Sequence, residues 1–308
     1  MRETQGVPFN REYDFEYGVI EQIAPSIRRV VASNPSPFTF HGTGTYIIGE
    51  GNIAIIDPGP LDDAHVDALL KAVAGERVTH LLVTHTHNDH SPACVPVKAA
   101  TGAPTYGFGP HGAGKAAQGE QVEEGGDMDF RPDIVVGHGD VIEGDGWSFE
   151  ALHTPGHTSN HVCYCYREEK TLFTGDHVMG WSTSVISPPD GNMTAYMASL
   201  RLLLDRDDKV YWPTHGPAIP DPQNFVQAFI DHRVAREEQI MQCLKHDMRY
   251  ISAMVKAMYH DVPEYLHPAA ALSVQAHLDH MIETGRVVAS VPGYITPTLY
   301  TAVTRTPS

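Results

Sequence analysis

Short apolar runs and helically spaced apolar positions alternate along most of the chain. Apolar runs of roughly four to eight residues bounded by Gly or Pro are typical of buried strands, whereas apolar residues three or four apart indicate a helix. We predict strands within 19–31, 42–49, 52–57, 78–83, 147–153, 161–166, 171–174 and 210–213. We predict helices within 61–73, 91–100 and 193–204, the second of them starting at a Ser-Pro pair that suits a helix N-terminus. This order of strands and helices favours a layered α/β domain.

Residues 105–138 interrupt the pattern. This stretch is rich in Gly and acidic residues, and its hydrophobic positions show little periodicity. Loops of this length inside compact domains are usually functional. We therefore expect an insertion beside the functional site.

Titratable residues gather where the predicted strands end. Residues 84–90 read Thr-His-Thr-His-Asn-Asp-His and follow the predicted strand 78–83. His157, Asp176 and His215 each follow a later strand, with Gly or Pro beside them. Loops after strands commonly carry ligands and catalytic groups, and a neighbouring Gly permits a tight turn close to such a site.

The density of histidine and aspartate in residues 84–90 predicts a metal site. A packed core has no use for four such groups within six positions, because each buried polar group needs a partner. The four are His85, His87, Asp89 and His90. Neutral imidazoles and carboxylates are good ligands for zinc, and iron and manganese accept them too. A solvated, histidine-rich loop is the alternative interpretation.

The composition of the chain limits the classes of partner that it can be expected to bind. The chain has 308 residues, 42% of them hydrophobic, and a formal net charge of −17. Such a surface repels polyanions at long range unless basic groups cluster locally. The four cysteines form no C-x-x-C pair, Met1–Tyr17 contains no apolar secretory segment, and no apolar run reaches the roughly 20 residues of a membrane span. We expect a cytoplasmic protein with free thiols and no membrane partner.

The H-x-H-x-D-H run, followed in order by His157, Asp176 and His215, resembles the metallo-β-lactamase fold superfamily over roughly residues 18–225. The resemblance implies an αββα sandwich, an α/β fold, with a dinuclear metal site at one edge of the two sheets. A narrower resemblance, to the β-lactamase-like protein 2 group, lies in the segments 34–39, 175–183 and 187–191. That group often has Asn where this chain has Gly44, a departure that concerns substrate contacts and not the metal site.

The narrower resemblance also implies a second domain. In the β-lactamase-like protein 2 group a small helical, winged-helix-like domain follows the hydrolase domain, so the expected domains are 1–225 and 226–308. Its helices would start near His232 and lie within 251–259 and 268–284, and a wing hairpin would lie within 285–289 and 293–296.

By the same resemblance the ligands divide between two Zn²⁺ ions. His85, His87 and His157 would bind one ion, Asp89, His90 and His215 would bind the other, and Asp176 would bridge them. The implied reaction is attack by a metal-bridging hydroxide on a carbonyl carbon or a phosphorus. Asp89 is the expected catalytic residue, since its carboxylate can orient the nucleophile or pass a proton.

The other histidines receive weaker predictions. His177 follows a predicted ligand and could donate a hydrogen bond within the site. We expect core or ligand-supporting roles for His80, His153 and His161, and solvated side chains for His41, His111 and His138.

The leading hypothesis is a metal-dependent hydrolase of a small ester, thioester or lactone. Single-stranded RNA is the alternative substrate, although acidic residues of the C-terminal region offset its basic ones. A nucleic-acid-binding regulator that uses the wing is the hypothesis of a different class, and a single-iron enzyme resembling sulfur dioxygenases shares part of the motif. We expect the C-terminal region to pack on the hydrolase domain or on a partner subunit; the sequence does not fix the oligomeric state.

Overall fold

Two β-sheets and the helices on their outer faces make up the first two thirds of the protein. The computed structural model describes residues 6–114, 125–261, 263–290 and 298–303. Its strands are β1 (Glu21–Ala24), β2 (Ile27–Val31), β3 (Gly44–Ile48), β4 (Asn52–Ile56), β5 (Arg77–Leu82), β6 (Thr105–Gly107), β7 (Ile134–Val135), β8 (Val141–Glu143), β9 (Ser148–His153), β10 (Val162–Tyr166), β11 (Thr171–Gly175), β12 (Val210–Pro213), β13 (Val287–Ala289) and β14 (Tyr300–Ala302). Its helices are α1 (Asp63–Ala72), α2 (Cys94–Thr101), α3 (Met193–Leu204), α4 (Pro222–Lys245), α5 (Ile251–Met258) and α6 (His267–Glu283).

Strand direction brings the functional loops to one edge. In the described residues the first sheet has the order β1-β2-β3-β4-β5-β6-β7, and the second has the order β12-β11-β10-β9-β8. Strands β4 and β5 are parallel, so the residues after both strands lie side by side. Strands β11 and β12 are also parallel, and β9 runs in the same direction because β10 is antiparallel to both β9 and β11.

Three apolar layers hold the sandwich together. Leu69 of α1 packs with Ile55 on the outer face of the first sheet. Tyr46 and Phe149 belong to the layer between the two sheets. Leu200 of α3 lies in the third layer, which covers the outer face of the second sheet. The predicted αββα sandwich is therefore confirmed, and its stability follows from the burial of apolar surface on both faces of each sheet.

Two predicted elements differ in their limits. The segment 19–31 is a pair of antiparallel strands and not one strand, because Pro25 and Ser26 form the turn between β1 and β2. The helix predicted over 91–100 starts three residues later, at Cys94. The Ser91 hydroxyl donates to Asp127 at 2.7 Å instead of capping the helix.

The prediction that residues 105–138 form an insertion was only partly right. Strands β6 and β7 of this stretch extend the first sheet by two parallel strands. Strands of three and two residues are too short to show periodicity in a sequence. Residues 125–127 lie beside the predicted ligand loop, as expected, and residues 115–124 lie outside the described residues.

Helix α4 joins the sandwich to the C-terminal region. Phe229 and Ile230 pack in the outer layer of the second sheet, whereas Ile240 and Leu244 belong to a separate core with α5 and α6. The predicted boundary between residues 225 and 226 thus falls inside α4, because one helix contributes to both cores. Helices α4 and α6 both contact α3, so the C-terminal region packs on the hydrolase domain.

The C-terminal region has the helices and the hairpin of a winged helix. Strands β13 and β14 pair antiparallel after α6. Residues 293–296, where the second wing strand was predicted, lie outside the described residues, and the strand that pairs with β13 is Tyr300–Ala302. No helix of the described residues combines the length and hydropathy that a membrane crossing requires.

Candidate metal centre

The loops that carry the seven predicted ligands meet at one edge of the sandwich. Residues 85–90 follow β5, His157 follows β9, and Asp176 and His215 follow the parallel strands β11 and β12. Two backbone hydrogen bonds fix these loops to each other. The amide of Val162 donates to Thr84 O at 2.7 Å across the two sheets, and the amide of Thr214 donates to Gly175 O at 3.2 Å.

All seven predicted side chains are buried and fall into three compact groups. Within each group, one potential ligand atom per residue lies within 4.8 Å of the others. The groups are His85 with His87 and His157, Asp89 with His90 and His215, and His85 with His90 and Asp176. The first two are the sets predicted for two separate ions, and the third places Asp176 between them.

Asp176 contacts both predicted sets. Its Oδ1 lies 3.4 Å from Nε2 of His215 and 3.6 Å from Nε2 of His90, and its Oδ2 lies 3.9 Å from Nε2 of His157. Asp176 Oδ1 and His90 Nε2 are buried, and neither forms a hydrogen bond within the described residues. Buried polar atoms without such partners are costly unless something else binds them. The donor set therefore fits divalent cations of the zinc type.

Burial sets the protonation of the first group. The pKa of His85 and of His87 is held well below its usual value, first by burial and then by the neighbouring histidines. Both imidazoles are therefore neutral at pH 7. A metal ligand must be neutral imidazole, so these side chains can bind a cation without losing a proton.

Carboxylates set the protonation of the second group. Burial lowers the pKa of His90 and of His215, but the carboxylates of Asp89 and Asp176 outweigh burial in both cases. The pKa of His215 rises to about 10, and that of His90 rises well above its usual range. Burial likewise raises the pKa of Asp89, but His90 and His215 bring it below its usual value. This half of the cluster is a set of ion pairs whose protons a metal would displace.

Two backbone carbonyls and a carboxylate contact the Nδ1 atoms of three predicted ligands and orient their rings. His157 Nδ1 lies 2.7 Å from Val185 O, and His215 Nδ1 lies 3.1 Å from Gly42 O. His90 Nδ1 lies 2.9 Å from Asp57 Oδ2. Each contact turns the Nε2 atom of the ring toward the cluster, which is the usual supporting arrangement of metal-bound histidine.

Asp57 was missed as a functional residue. It directly follows β4, with Pro58 and Gly59 after it, so it carries the same strand-end signal as the predicted ligands. Its carboxylate also accepts hydrogen bonds from the Thr84 amide at 2.8 Å and from the Thr214 hydroxyl at 2.9 Å. Asp57 thus connects two of the ligand loops.

The prediction that His111 is solvated was wrong. The His111 side chain is buried, and its Nδ1 lies 3.1 Å from the Thr86 hydroxyl between two predicted ligands. Asn160 donates to the same hydroxyl at 2.8 Å. Gly126, which pairs with His87 through a β-bridge, lies against the His111 ring so closely that a Cβ atom there would be 2.4 Å from it.

The remaining histidines differ in their burial and in their contacts with the cluster. His161 supports the site, since the Asp176 amide donates to its Nε2 at 3.3 Å. His177 is buried, but neither of its ring nitrogens forms a hydrogen bond within the described residues, so the predicted donation is not seen. Burial lowers its pKa to about 3. His138 is exposed, as predicted, whereas His41 is half-buried beside Phe40.

Apolar side chains form the rest of the cleft that opens at the cluster. Phe38, Met179 and Val185 line it together with five of the predicted ligands: His87, Asp89, His157, Asp176 and His215. No Lys or Arg of the described residues lines the cleft. Phe40 stacks on Trp181 at 4.7 Å, and the indole of Trp181 packs against the backbone next to His215.

Gly44 lies next to Thr214 and Arg29. A Cβ atom at this position would meet Thr214 O at 3.2 Å and the Arg29 stem at 3.4 Å. A side chain at residue 44 would therefore pack closely against Arg29, which is buried and paired with Glu21 at 2.7 Å.

Comparison with known proteins places the chain in a family. A family model described as Metallo-beta-lactamase superfamily matches residues 39–215. The chain belongs to the metallo-beta-lactamase superfamily. A second model, Beta-lactamase associated winged helix domain, matches residues 251–291. Together they confirm the predicted fold class, and the chain is a hydrolase of this superfamily.

Relatives of this metallo-beta-lactamase-superfamily hydrolase include two curated proteins. The Beta-lactamase-like protein 2 homolog of Drosophila melanogaster is 32% identical over 283 residues, which cover 87% of this chain and 91% of that protein. The Atrochrysone carboxyl ACP thioesterase of Aspergillus chevalieri is 29% identical and covers 80% of this chain, with 77% of its own length matched. The narrower resemblance to the β-lactamase-like protein 2 group is thus confirmed.

A solved structure shares the fold over nearly the whole length. The crystal structure of a Beta-lactamase domain protein from Burkholderia ambifaria superposes with a TM-score of 0.77 at 17% identity. The match covers 95% of this chain and 97% of that one. The C-terminal region therefore has its counterpart in the same arrangement.

Proposed function

We propose that this hydrolase binds two Zn²⁺ ions and cleaves a small thioester, ester or lactone with an apolar acyl group. The observation that carries the proposal is the pair of three-residue ligand groups joined by Asp176. His85, His87 and His157 would hold one ion, Asp89, His90 and His215 the other, and Asp176 would contact both. When bound, such ions polarise the scissile carbonyl and lower the pKa of a water to roughly 7.

The chain's own residues position the substrate and handle protons. Phe38, Met179 and Val185 form an apolar wall next to the ligands, so an apolar acyl group can lie there with its carbonyl toward the cluster. Asp89 lines the cleft, so its carboxylate would orient the attacking water and pass a proton to the leaving group. In the balanced reaction a C–O bond to water forms, the C–S or C–O bond breaks, and the proton goes to the departing sulfur or oxygen.

The cleft favours a neutral substrate over RNA. Recognition of a phosphate backbone depends on Lys and Arg, and none lines the cleft among the described residues. In the C-terminal region Arg286 pairs with Glu237 and Arg249 pairs with Asp247, which reduces the free positive charge available for nucleic acid. The thioesterase relative acts on a thioester by its name, and we extend that reaction class to this chain.

A substrate panel with metal analysis tests the proposal. Thioesters with one common thiol and acyl groups of increasing length, lactones and short single-stranded RNAs would be assayed with the purified protein and with Asp176→Asn. We expect two zinc equivalents, turnover that rises with acyl length, and loss of both metal and turnover in the variant. His138→Ala, which removes an exposed histidine, is the matched control. RNA cleavage without thioester or ester cleavage would overturn the substrate assignment, and full activity of Asp176→Asn would overturn the site.

A further inference from the structure

One loop of the hydrolase domain receives hydrogen bonds from two directions at consecutive carbonyls. Val185 O accepts from Nδ1 of His157 at 2.7 Å. Ser184 O accepts from Nη2 of Arg233 at 2.5 Å. The first contact sets the ring of a proposed metal ligand, and the second comes from α4, the helix that continues into the C-terminal core.

Few interactions other than this hydrogen bond stabilise the positive charge of the Arg233 guanidinium. Its side chain is buried, none of the ion pairs among the described residues includes it, and its Nε forms no hydrogen bond there. Its guanidinium lies 5.2 Å from the centroid of the Tyr196 ring. Burying a cation without an anionic partner is costly, and the contacts with the Ser184 carbonyl and with Tyr196 offset part of that cost.

The other end of this loop, at His177, also forms hydrogen bonds with Tyr196 and Ser184. The Tyr196 hydroxyl donates to His177 O at 2.8 Å, and the Ser184 hydroxyl donates to that same oxygen at 2.8 Å. His177 directly follows Asp176. Arg233 therefore contacts a loop that starts next to Asp176 and ends at Val185, whose carbonyl orients His157.

We propose that Arg233 is a positioning residue, through which helix α4 fixes the Nδ1–H form and the orientation of His157. The inference rests on the proposed metal-binding role of His157. Arg suits this position because its planar guanidinium can donate to Ser184 O while its face lies on Tyr196, whereas the Lys ammonium is a point charge that cannot do both. Without this brace the Val185 carbonyl shifts, and the imidazole of His157 loses the hydrogen bond that selects its tautomer.

The test compares Arg233→Met and Arg233→Lys with Arg236→Met, a control on the same helix whose guanidinium lies over Tyr259 instead. Zinc affinity would be measured by competition with a chelator, and the visible spectrum would be recorded after cobalt substitution. In Arg233→Met we expect about 10- to 100-fold weaker binding of one of the two ions, an altered cobalt spectrum and a fall in kcat with little change in KM. Arg233→Lys should lose less, and Arg236→Met should match the native protein.

Nuclear magnetic resonance of the metal-free protein separates this inference from the proposed function. The side-chain ¹⁵N shifts of His157, assigned with a His157→Gln variant, report its tautomer without any metal or substrate. We expect the Nδ1–H form in the native protein and a mixture in Arg233→Met. A folded Arg233→Met with native zinc affinity and an unchanged His157 tautomer overturns the inference. If Arg233→Met does not fold, the same native values in Arg233→Lys overturn it. A native protein that hydrolyses nothing in the panel would refute the proposed function alone.

Discussion

The Nδ1 atom of His90 lies 2.9 Å from Oδ2 of Asp57, and both side chains are fully buried. The same carboxylate accepts hydrogen bonds from the amide and the hydroxyl of Thr84 and from the hydroxyl of Thr214. Each of these four contacts thus brings a donor to the carboxylate of Asp57. Its φ of +47° places it in the left-handed region, which Asp and Asn tolerate better than most residues.

Asp57→Asn should weaken the metal site without disturbing the backbone. Asn has the same shape as Asp and tolerates the same φ. However, its amide NH₂ group would face one of the donors that now contact the carboxylate, and the negative charge next to His90 would be lost. We expect about 10- to 100-fold lower affinity for the ion bound by the His90 group. Zinc competition measures it, with Asp63→Asn on exposed helix surface as the control. Native affinity in Asp57→Asn would show that the carboxylate does not support the ligand.

Gly126→Ala should damage the site through His111. A Cβ atom at residue 126 would lie 2.4 Å from the His111 ring, and Gly126 forms the bridge to His87. Overpacking of this kind costs about 1–3 kcal/mol of unfolding free energy. We expect that destabilisation together with a loss of zinc binding, measured by urea unfolding and metal analysis.

A second substitution checks the cause of that effect. His111→Ala removes the ring that the new methyl group would strike, so the double variant should be more stable than the sum of the two single effects predicts. Additive effects would mean that Gly126 is required for another reason.

Glu237 should make the C-terminal region sensitive to acid. Its Oε1 lies 2.6 Å from His280 Nδ1 and its Oε2 lies 2.6 Å from Arg286 Nη1. Burial raises its pKa, but His277, His280 and Arg286 outweigh burial and hold the pKa well below the ordinary 4.5. A carboxyl group whose pKa is lower in the folded state than in the unfolded state stabilises the folded state at pH values above its unfolded pKa. This contribution is lost progressively as the pH falls below about 4.5.

Glu237→Gln tests this linkage. The substitution should cost about 2–3 kcal/mol near pH 5, because the charged hydrogen bonds are lost while the volume is kept. The difference from the native protein should shrink as the pH is lowered from about 5 to about 3. Urea unfolding at several pH values measures it, and a difference that stays constant with pH would contradict the ion-pair explanation.

Removing the proposed metal ions should lower the melting temperature of the protein. A ligand present at about a thousand times its Kd stabilises the folded state by about 4 kcal/mol, and we therefore expect a loss of roughly 5–15 °C after chelation. Differential scanning calorimetry with and without chelator measures the shift. In Asp176→Asn the shift should be much smaller. An unchanged melting temperature after complete metal removal would mean that the cluster is not a tight metal site.

The parts of the site that the sequence predicts are those with a local signal. His85 to His90 stand out by residue type, and strand ends with Gly or Pro beside them mark the later predicted ligands. The parallel directions of β4 with β5 and of β11 with β12 explain why residues so far apart in the chain meet at one edge. Asp57 carries that same signal and could have been predicted with them.

Other contributors have no local signal. His111 is buried because Thr86 and Gly126 surround it, and Arg233 is functional in our proposal because it reaches a carbonyl 49 positions away. Such roles depend on tertiary contacts that no spacing in the sequence reveals. Strands β6 and β7 were missed for a simpler reason, since two or three residues cannot display a period.

Helix α4 contributes to the apolar cores of both halves of this chain. Its first turns supply Phe229 and Ile230 to the hydrolase core, and its last turns supply Ile240 and Leu244 to the winged-helix core. A chain cut at residue 225 would leave the second sheet without part of its cover. The C-terminal region thus continues the layer that covers the outer face of the second sheet. Replacing this region with another domain would require that layer to be rebuilt.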